Sequence, residues 1–106
     1  MYKVLWQDTA ISNLLNIRES IEEVACSTEI ADNIISSIYE RTEELADFPN
    51  RYPIYPDRPI LRRMVVSRDY CVYYKVIEAT KTVRVFNVLR SSADTLRHIE
   101  NPFVQE

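Results

Sequence analysis

The sequence predicts an α+β fold in the order β-α-α-β-β-β, with a helical hairpin packed on an antiparallel meander sheet. Three observations predict it. Apolar residues recur at helical spacing before Phe48 and at strand spacing after Pro59, so the period drops to two partway along the chain. Between these regimes, residues 49–59 hold four of the five prolines, a stiff extended connection too short to separate domains. The whole is 106 residues with 46% hydrophobic side chains, which suits one domain over 1–106 with a core of its own.

The elements follow in order. Residues 2–6 are apolar enough for a short first strand. Asp8 or Thr9 then offers a side-chain oxygen to the free N–H groups of a helix over 8–24. Its apolar stripe is Ile11, Leu14, Leu15, Ile21 and Val24, with Glu19, Glu22 and Glu23 mainly off it. Cys26-Ser27-Thr28 breaks the pattern, and Ser27 caps a second helix over 28–47 whose stripe is Ala31, Ile34, Ile35, Ile38, Leu45 and Ala46. Phe48-Pro49 stops it, because proline disfavours the helical conformation in the residue before it. Strands follow over 60–66, 70–77 and 82–89, joined by Ser67-Arg68-Asp69 and by Glu78-Ala79-Thr80-Lys81. Ser91 or Ser92 can cap a last helical turn over 93–100. One face of the meander packs on the hairpin and the other is left partly open, as antiparallel sheets tolerate.

Composition excludes several function classes. The chain has no glycine, which rules out glycine-rich phosphate loops and leaves any position with positive φ to Asn or Asp. Cys26 and Cys71 lie far apart with no second ligand at metal spacing, so they are expected as two buried free thiols, without metal or cofactor. No apolar run approaches membrane-spanning length, and the N-terminus lacks the pattern of a signal peptide, so the expected location is the cytoplasm. The net charge of −3 hides an asymmetry. Residues 1–50 carry three Lys or Arg against ten Asp or Glu, a net of −7; residues 51–106 carry ten against six, a net of +4. The total argues against general nucleic-acid affinity, while the second half can present a local basic face.

Several local patterns now add to the element order. They are Trp6-Gln7-Asp8-Thr9-Ala10, Glu44-Leu45-Ala46-Asp47-Phe48-Pro49, Leu61-Arg62-Arg63-Met64-Val65, Tyr70-Cys71-Val72-Tyr73-Tyr74-Lys75-Val76, and Val83 through Arg90 followed by Asp94. In this order and spacing the chain resembles, over residues 2–95, the RelE/ParE family of toxins from type II toxin–antitoxin modules. The resemblance implies a growth inhibitor neutralised by a cognate antitoxin, with no specific DNA binding of its own. RelE-like members resemble ribosome-dependent endoribonucleases that cut mRNA. ParE-like members resemble inhibitors of DNA gyrase and have no known hydrolytic site. A family member that has lost toxicity and keeps only antitoxin binding is the third reading.

Metal-free RNA cleavage needs a base near the 2′-OH, cations on the phosphate and an acid for the leaving oxygen. The candidates are Arg62, Arg63, Arg90 and His98, the only histidine. Arg62 and Arg63 point to opposite faces of their strand, while Arg84 and Arg90 share parity on theirs. Candidate contact residues are Tyr73, Lys75, Arg84, Phe86 and Arg97. By parity Tyr70, Val72, Tyr74 and Val76 face the core, and Cys71, Tyr73 and Lys75 face away from it. Departures from the RelE-like pattern matter. Cys71 stands where an arginine commonly follows the residue opening the middle strand, and Ser91 follows Arg90 where a basic pair is expected. Asp57-Arg58-Pro59 replaces the basic residues expected before the first meander strand. The expectation is therefore a toxin acting by protein binding, with RNA cleavage as the alternative.

Overall fold

The elements run β1 (Lys3–Trp6), α1 (Asp8–Ala25), α2 (Thr28–Glu43), a 3₁₀ turn (Glu44–Ala46), β2 (Arg62–Val66), β3 (Tyr70–Ile77), a second 3₁₀ turn (Glu78–Thr80) and β4 (Thr82–Arg90). The computed structural model describes residues 1–91; the expected turn over 93–100, and with it Arg97 and His98, lies outside the described residues.

The sheet order is β1-β4-β3-β2. β2, β3 and β4 are the expected antiparallel meander, and β1 joins it in parallel along β4, making the sheet mixed. The lone β1 is held at both ends. Tyr2 N–H donates to Ala46 at 2.7 Å, and Gln7 N–H donates to Val85 at 2.9 Å.

Both helices pack on one sheet face. Ala10, Ile17 and Ile21 of α1 and Ala31 and Ile38 of α2 meet Met64, Val66, Tyr70, Val72, Tyr74, Val83, Val85 and Val88. This corrects the expected α1 stripe, since Ile11, Leu15 and Val24 are exposed. Small Ala10 lets the helix approach the sheet, and rows three and four residues on complete that contact. The caps divide as well. Ser27 Oγ accepts from Ile30 N–H at 3.2 Å as expected, whereas Gln7 stands at the start of α1 without a side-chain cap, in place of Asp8 or Thr9.

Positive φ falls on Cys26, Ser67, Arg68 and Lys81, none of them Asn or Asp. Each costs roughly 1–2 kcal/mol relative to glycine, so packing and register enforce these turns against local preference. Cys26 ends α1 in the left-handed conformation, its N–H on Glu22 O, and its thiol is exposed rather than buried; Cys71 is buried.

Residues 49–61 form a strap along the β2 edge. Ile54 bridges to Arg62, Arg63 N–H donates to Pro53 at 3.1 Å, and Tyr55 N–H donates to Leu61 at 2.8 Å. Ile60 and Leu61 therefore belong to this strap, and β2 begins at Arg62 rather than at residue 60.

Candidate functional site

The sheet face away from the helices is the candidate binding face. Its centre is closed. Tyr55 and Leu61 come down from the strap onto Cys71, Tyr73 and Phe86 as a second buried cluster, with Ile60 and Leu89 at its margin. Tyr55 meets Tyr73 edge-on, ring centres 5.2 Å apart, and the Arg63 guanidinium lies 5.2 Å from the Tyr55 ring. The partly open face expected from the sequence is thus covered. Tyr73 and Phe86 are fully buried, so as placed neither ring offers surface to a partner.

The strap is tied down by groups on the helix side. Arg62 donates to Tyr52 O at 2.6 Å and to Asn50 O at 3.5 Å. Tyr74 Oη donates to Pro49 O at 2.9 Å, and Arg41 donates to the Tyr52 hydroxyl at 3.1 Å. Arg62 is thereby engaged in structure. Beside it a shallow cavity of about 270 Å³ is lined by Asn50, Ile54, Pro59, Ile60, Arg62, Val76 and Glu78.

The Tyr73 hydroxyl is buried with no hydrogen-bond partner. Its pKa is pushed up to about 12, by burial first and by Cys71 next, while nearby Arg63 opposes the rise without reaching bonding geometry. Tyr74 is also raised to about 12, again by burial first, but its hydroxyl is bonded.

A one-residue bulge in β4 redistributes the cations. Tyr73 pairs with Asn87 and Tyr74 with Val85, leaving Phe86 extra. Side chains alternate along a strand, so one added residue reverses every orientation beyond it. Arg84, opposite Lys75, faces the strap side; Arg90, opposite core-facing Tyr70, faces the helix side. The shared parity of Arg84 and Arg90 therefore does not put them on one face. Arg63, Lys75 and Arg84 share the strap side and rim the buried cluster, and the Arg84 guanidinium lies 6.0 Å from the Phe86 ring. Arg62 and Arg90 are on the other side. Arg90 is exposed, and the β3 partners of Arg63 and Arg90, Tyr73 and Tyr70, lie about 10 Å apart along the strand.

The bulge is met by α1. Asn13 Oδ1 accepts from Val88 N–H at 3.0 Å and from Asn87 Nδ2 at 3.1 Å, serving the β4 edge beyond the reach of β1. Asn13, Tyr55 and Leu61 were not singled out from the sequence. Asn87, polar inside an apolar strand, was the available signal for a break in regular pairing.

Comparison with known proteins decides the family. A family model described as the ParE toxin of type II toxin-antitoxin system, parDE, matches residues 4–95. This chain belongs to the ParE toxin family. Two solved structures share the ParE-like fold. One, titled the chromosomal ParDE TA system from P. aeruginosa, aligns with TM-score 0.74 and 21% identity over 85% of this chain and 96% of its own. The other, the isolated E. coli RelE toxin, aligns with TM-score 0.60 and 12% identity over 92% of each chain. No curated protein sequence matches the chain. The ParE match bears out the resemblance carried by residues 2–95, and no described helix is long and apolar enough to cross a membrane.

Proposed function

We propose that this ParE-family protein is a growth-inhibiting toxin that acts by binding a protein target, DNA gyrase, and is relieved by a cognate antitoxin. One observation carries the preference for binding over RNA cleavage. Rings and a thiol fill the centre of the strap-side sheet face, and the four described arginines considered for catalysis or contact are divided between two faces. A cleavage site needs its cations convergent on one phosphate within hydrogen-bond reach. Arg62, engaged by the strap, and Arg90, turned to the helix side, do not meet that need as placed.

The second reading, a ribosome-dependent endoribonuclease, is favoured by Arg63, Lys75 and Arg84 on one rim. Purified protein added to a gyrase supercoiling reaction, beside primer extension on translated mRNA, separates the two. Binding to gyrase gives loss of supercoiling with uncut message. Unchanged supercoiling at saturating protein together with new cuts in the message overturns the proposal. Co-expression with the protein encoded by the adjacent reading frame restores growth if that protein is the antitoxin.

A further inference from the structure

Charge is divided between the two layers of the fold. α1 and α2 each carry four Asp or Glu against a single Arg. The four strands carry Lys3, Arg62, Arg63, Lys75, Arg84 and Arg90 and no acid. Four of these cations share the strap side, one from each strand. Lys3 and Leu5 turn away from the helices, because Val4 and Trp6 pack on the core between and beside them. Lys3 is paired with Thr82, and Leu5 with Arg84. Arg84 stands opposite Lys75, and Lys75 lies two residues along β3 from Tyr73, the partner of Arg63. Arg63, Lys75, Arg84 and Lys3 therefore form one diagonal across β2, β3, β4 and β1, along the margin of the cluster of Tyr55, Tyr73 and Phe86. Direct neighbours on a sheet face lie about 5 Å apart and diagonal ones about 7–8 Å, so the diagonal is about 20 Å long.

The fold does not ask for these charges. β3 and β4 are the central strands, so Lys75 and Arg84 blunt no edge. Like charges directly opposite each other destabilise a sheet, yet Lys75 faces Arg84 across the β3–β4 ladder. Both are half-buried, while Arg63 and Lys3 are exposed. An anion laid along the diagonal turns this cost into attraction.

We propose that the diagonal holds an extended acidic segment of this toxin's protein target, with Asp or Glu at alternate positions. Alternate side chains of an extended chain stand on one side about 6.6–7 Å apart, close to the spacing of the cations. About six extended residues span the diagonal. The planar guanidinium groups of Arg63 and Arg84 match carboxylates, each able to contact two oxygens. A single-stranded nucleic acid is disfavoured, because such binding stacks bases on exposed rings, and Tyr55, Tyr73 and Phe86 are all buried. The acids of the helix layer add repulsion against a long polyanion. The inference rests on the reading of a toxin that acts by protein binding, and not on which protein it binds.

The probe is a fluorescent peptide of alternating Glu and Thr, about eight residues long, read by anisotropy. A Lys/Thr peptide of the same pattern and an oligouridylate of the same charge as the Glu/Thr peptide are the comparisons. The Glu/Thr peptide binds saturably and more tightly than either, and its Kd rises several-fold from low salt to about 0.15 M. Lys75→Glu and Lys3→Glu each weaken it by about tenfold. Lys75→Glu keeps or raises the thermal midpoint, since it replaces a like-charge pair with an opposite one, so lost binding is not lost fold. No binding of the Glu/Thr peptide, unchanged affinity in both variants, or an oligouridylate bound as tightly overturns the proposal, the last in favour of nucleic acid. In the supercoiling reaction, Lys75→Glu protein as inhibitory as the native protein overturns the inference and leaves the gyrase reading standing. Native protein that binds the peptide through these cations yet leaves supercoiling unchanged supports the inference and overturns the gyrase reading.

Discussion

Tyr73 and Tyr74 are neighbours on β3, both fully buried, yet the same substitution is expected to move stability in opposite directions. Tyr73 carries a hydroxyl without a partner, whereas Tyr74 donates to Pro49 O at 2.9 Å. An unsatisfied buried hydroxyl costs about 1–3 kcal/mol. Tyr73→Phe removes that cost, less some packing around the deleted oxygen, for a gain of about 1 kcal/mol. In a chain of this size that raises Tm by roughly 4–8 °C. Tyr74→Phe leaves the Pro49 carbonyl without its donor and loosens the strap, lowering stability by about 1–3 kcal/mol. Thermal and urea melts at pH 7 measure both. The same residues add an alkaline limb. Both pKa values are raised from 10.0 to about 12, burial being the largest cause for each. Between these values the unfolded chain loses protons the folded chain keeps, so stability is full below pH 10 and falls as pH rises towards 12. Two pH units correspond to about 2.7 kcal/mol per tyrosine as an order of magnitude, and each Phe variant removes about half of the combined loss. Melts in which both variants shift with the same sign at pH 7 refute the assignment of one free and one bonded hydroxyl.

Arg62→Ala releases the strap from Tyr52 O and lowers stability by about 1.5–3 kcal/mol; limited proteolysis should then cut within residues 53–60, and an unchanged cleavage pattern counts against the latch. Cys26→Gly relieves a left-handed residue at the end of α1 and should gain about 0.5–1 kcal/mol after the entropic cost of glycine, read as a higher urea midpoint. A thiol reagent should label Cys26 rapidly in the native protein and Cys71 only on unfolding, because one thiol is exposed and the other buried; two rapidly reacting thiols would contradict the closed strap.

The legible parts of the fold were those governed by local periodicity. The hairpin turn at Ser27, the β3 span at 70–77 and the meander order all follow from spacing and turn chemistry, and each is found. What was not legible depends on tertiary partners. Ile11, Leu15 and Val24 satisfy a helical period as well as Ala10 and Ile17 do, and only the position of the sheet decides which row is inward. Among the described residues of a chain without glycine, four positive φ values fall on residues with no preference for them, because register and packing impose them. The covering of the sheet by Tyr55 and Leu61 is likewise a contact between a proline-rich connection and strands ten or more residues later, invisible to any local pattern.

The bulge shows how one residue shapes what this sheet can bind. Continuing the pairing of Tyr74 with Val85 without a bulge would put Phe86 beside Tyr73 and Asn87 beside Val72. Asn87 would then leave its place opposite Tyr73, and its bond to Asn13 Oδ1 would have to be remade. Val88 would turn to the strap side and leave the core it now fills. With Phe86 extra, Val88 stays in that core, its N–H finds Asn13, and the Asn87 amide finds the same oxygen. The same displacement turns Arg90 from the face that holds Arg63, Lys75 and Arg84. The separation of the cations is therefore a consequence of the register that keeps Val88 in the core. Restoring the arginine expected in place of Cys71 would not by itself reunite Arg90 with the strap-side cations, because the register of β4 separates them independently of residue 71.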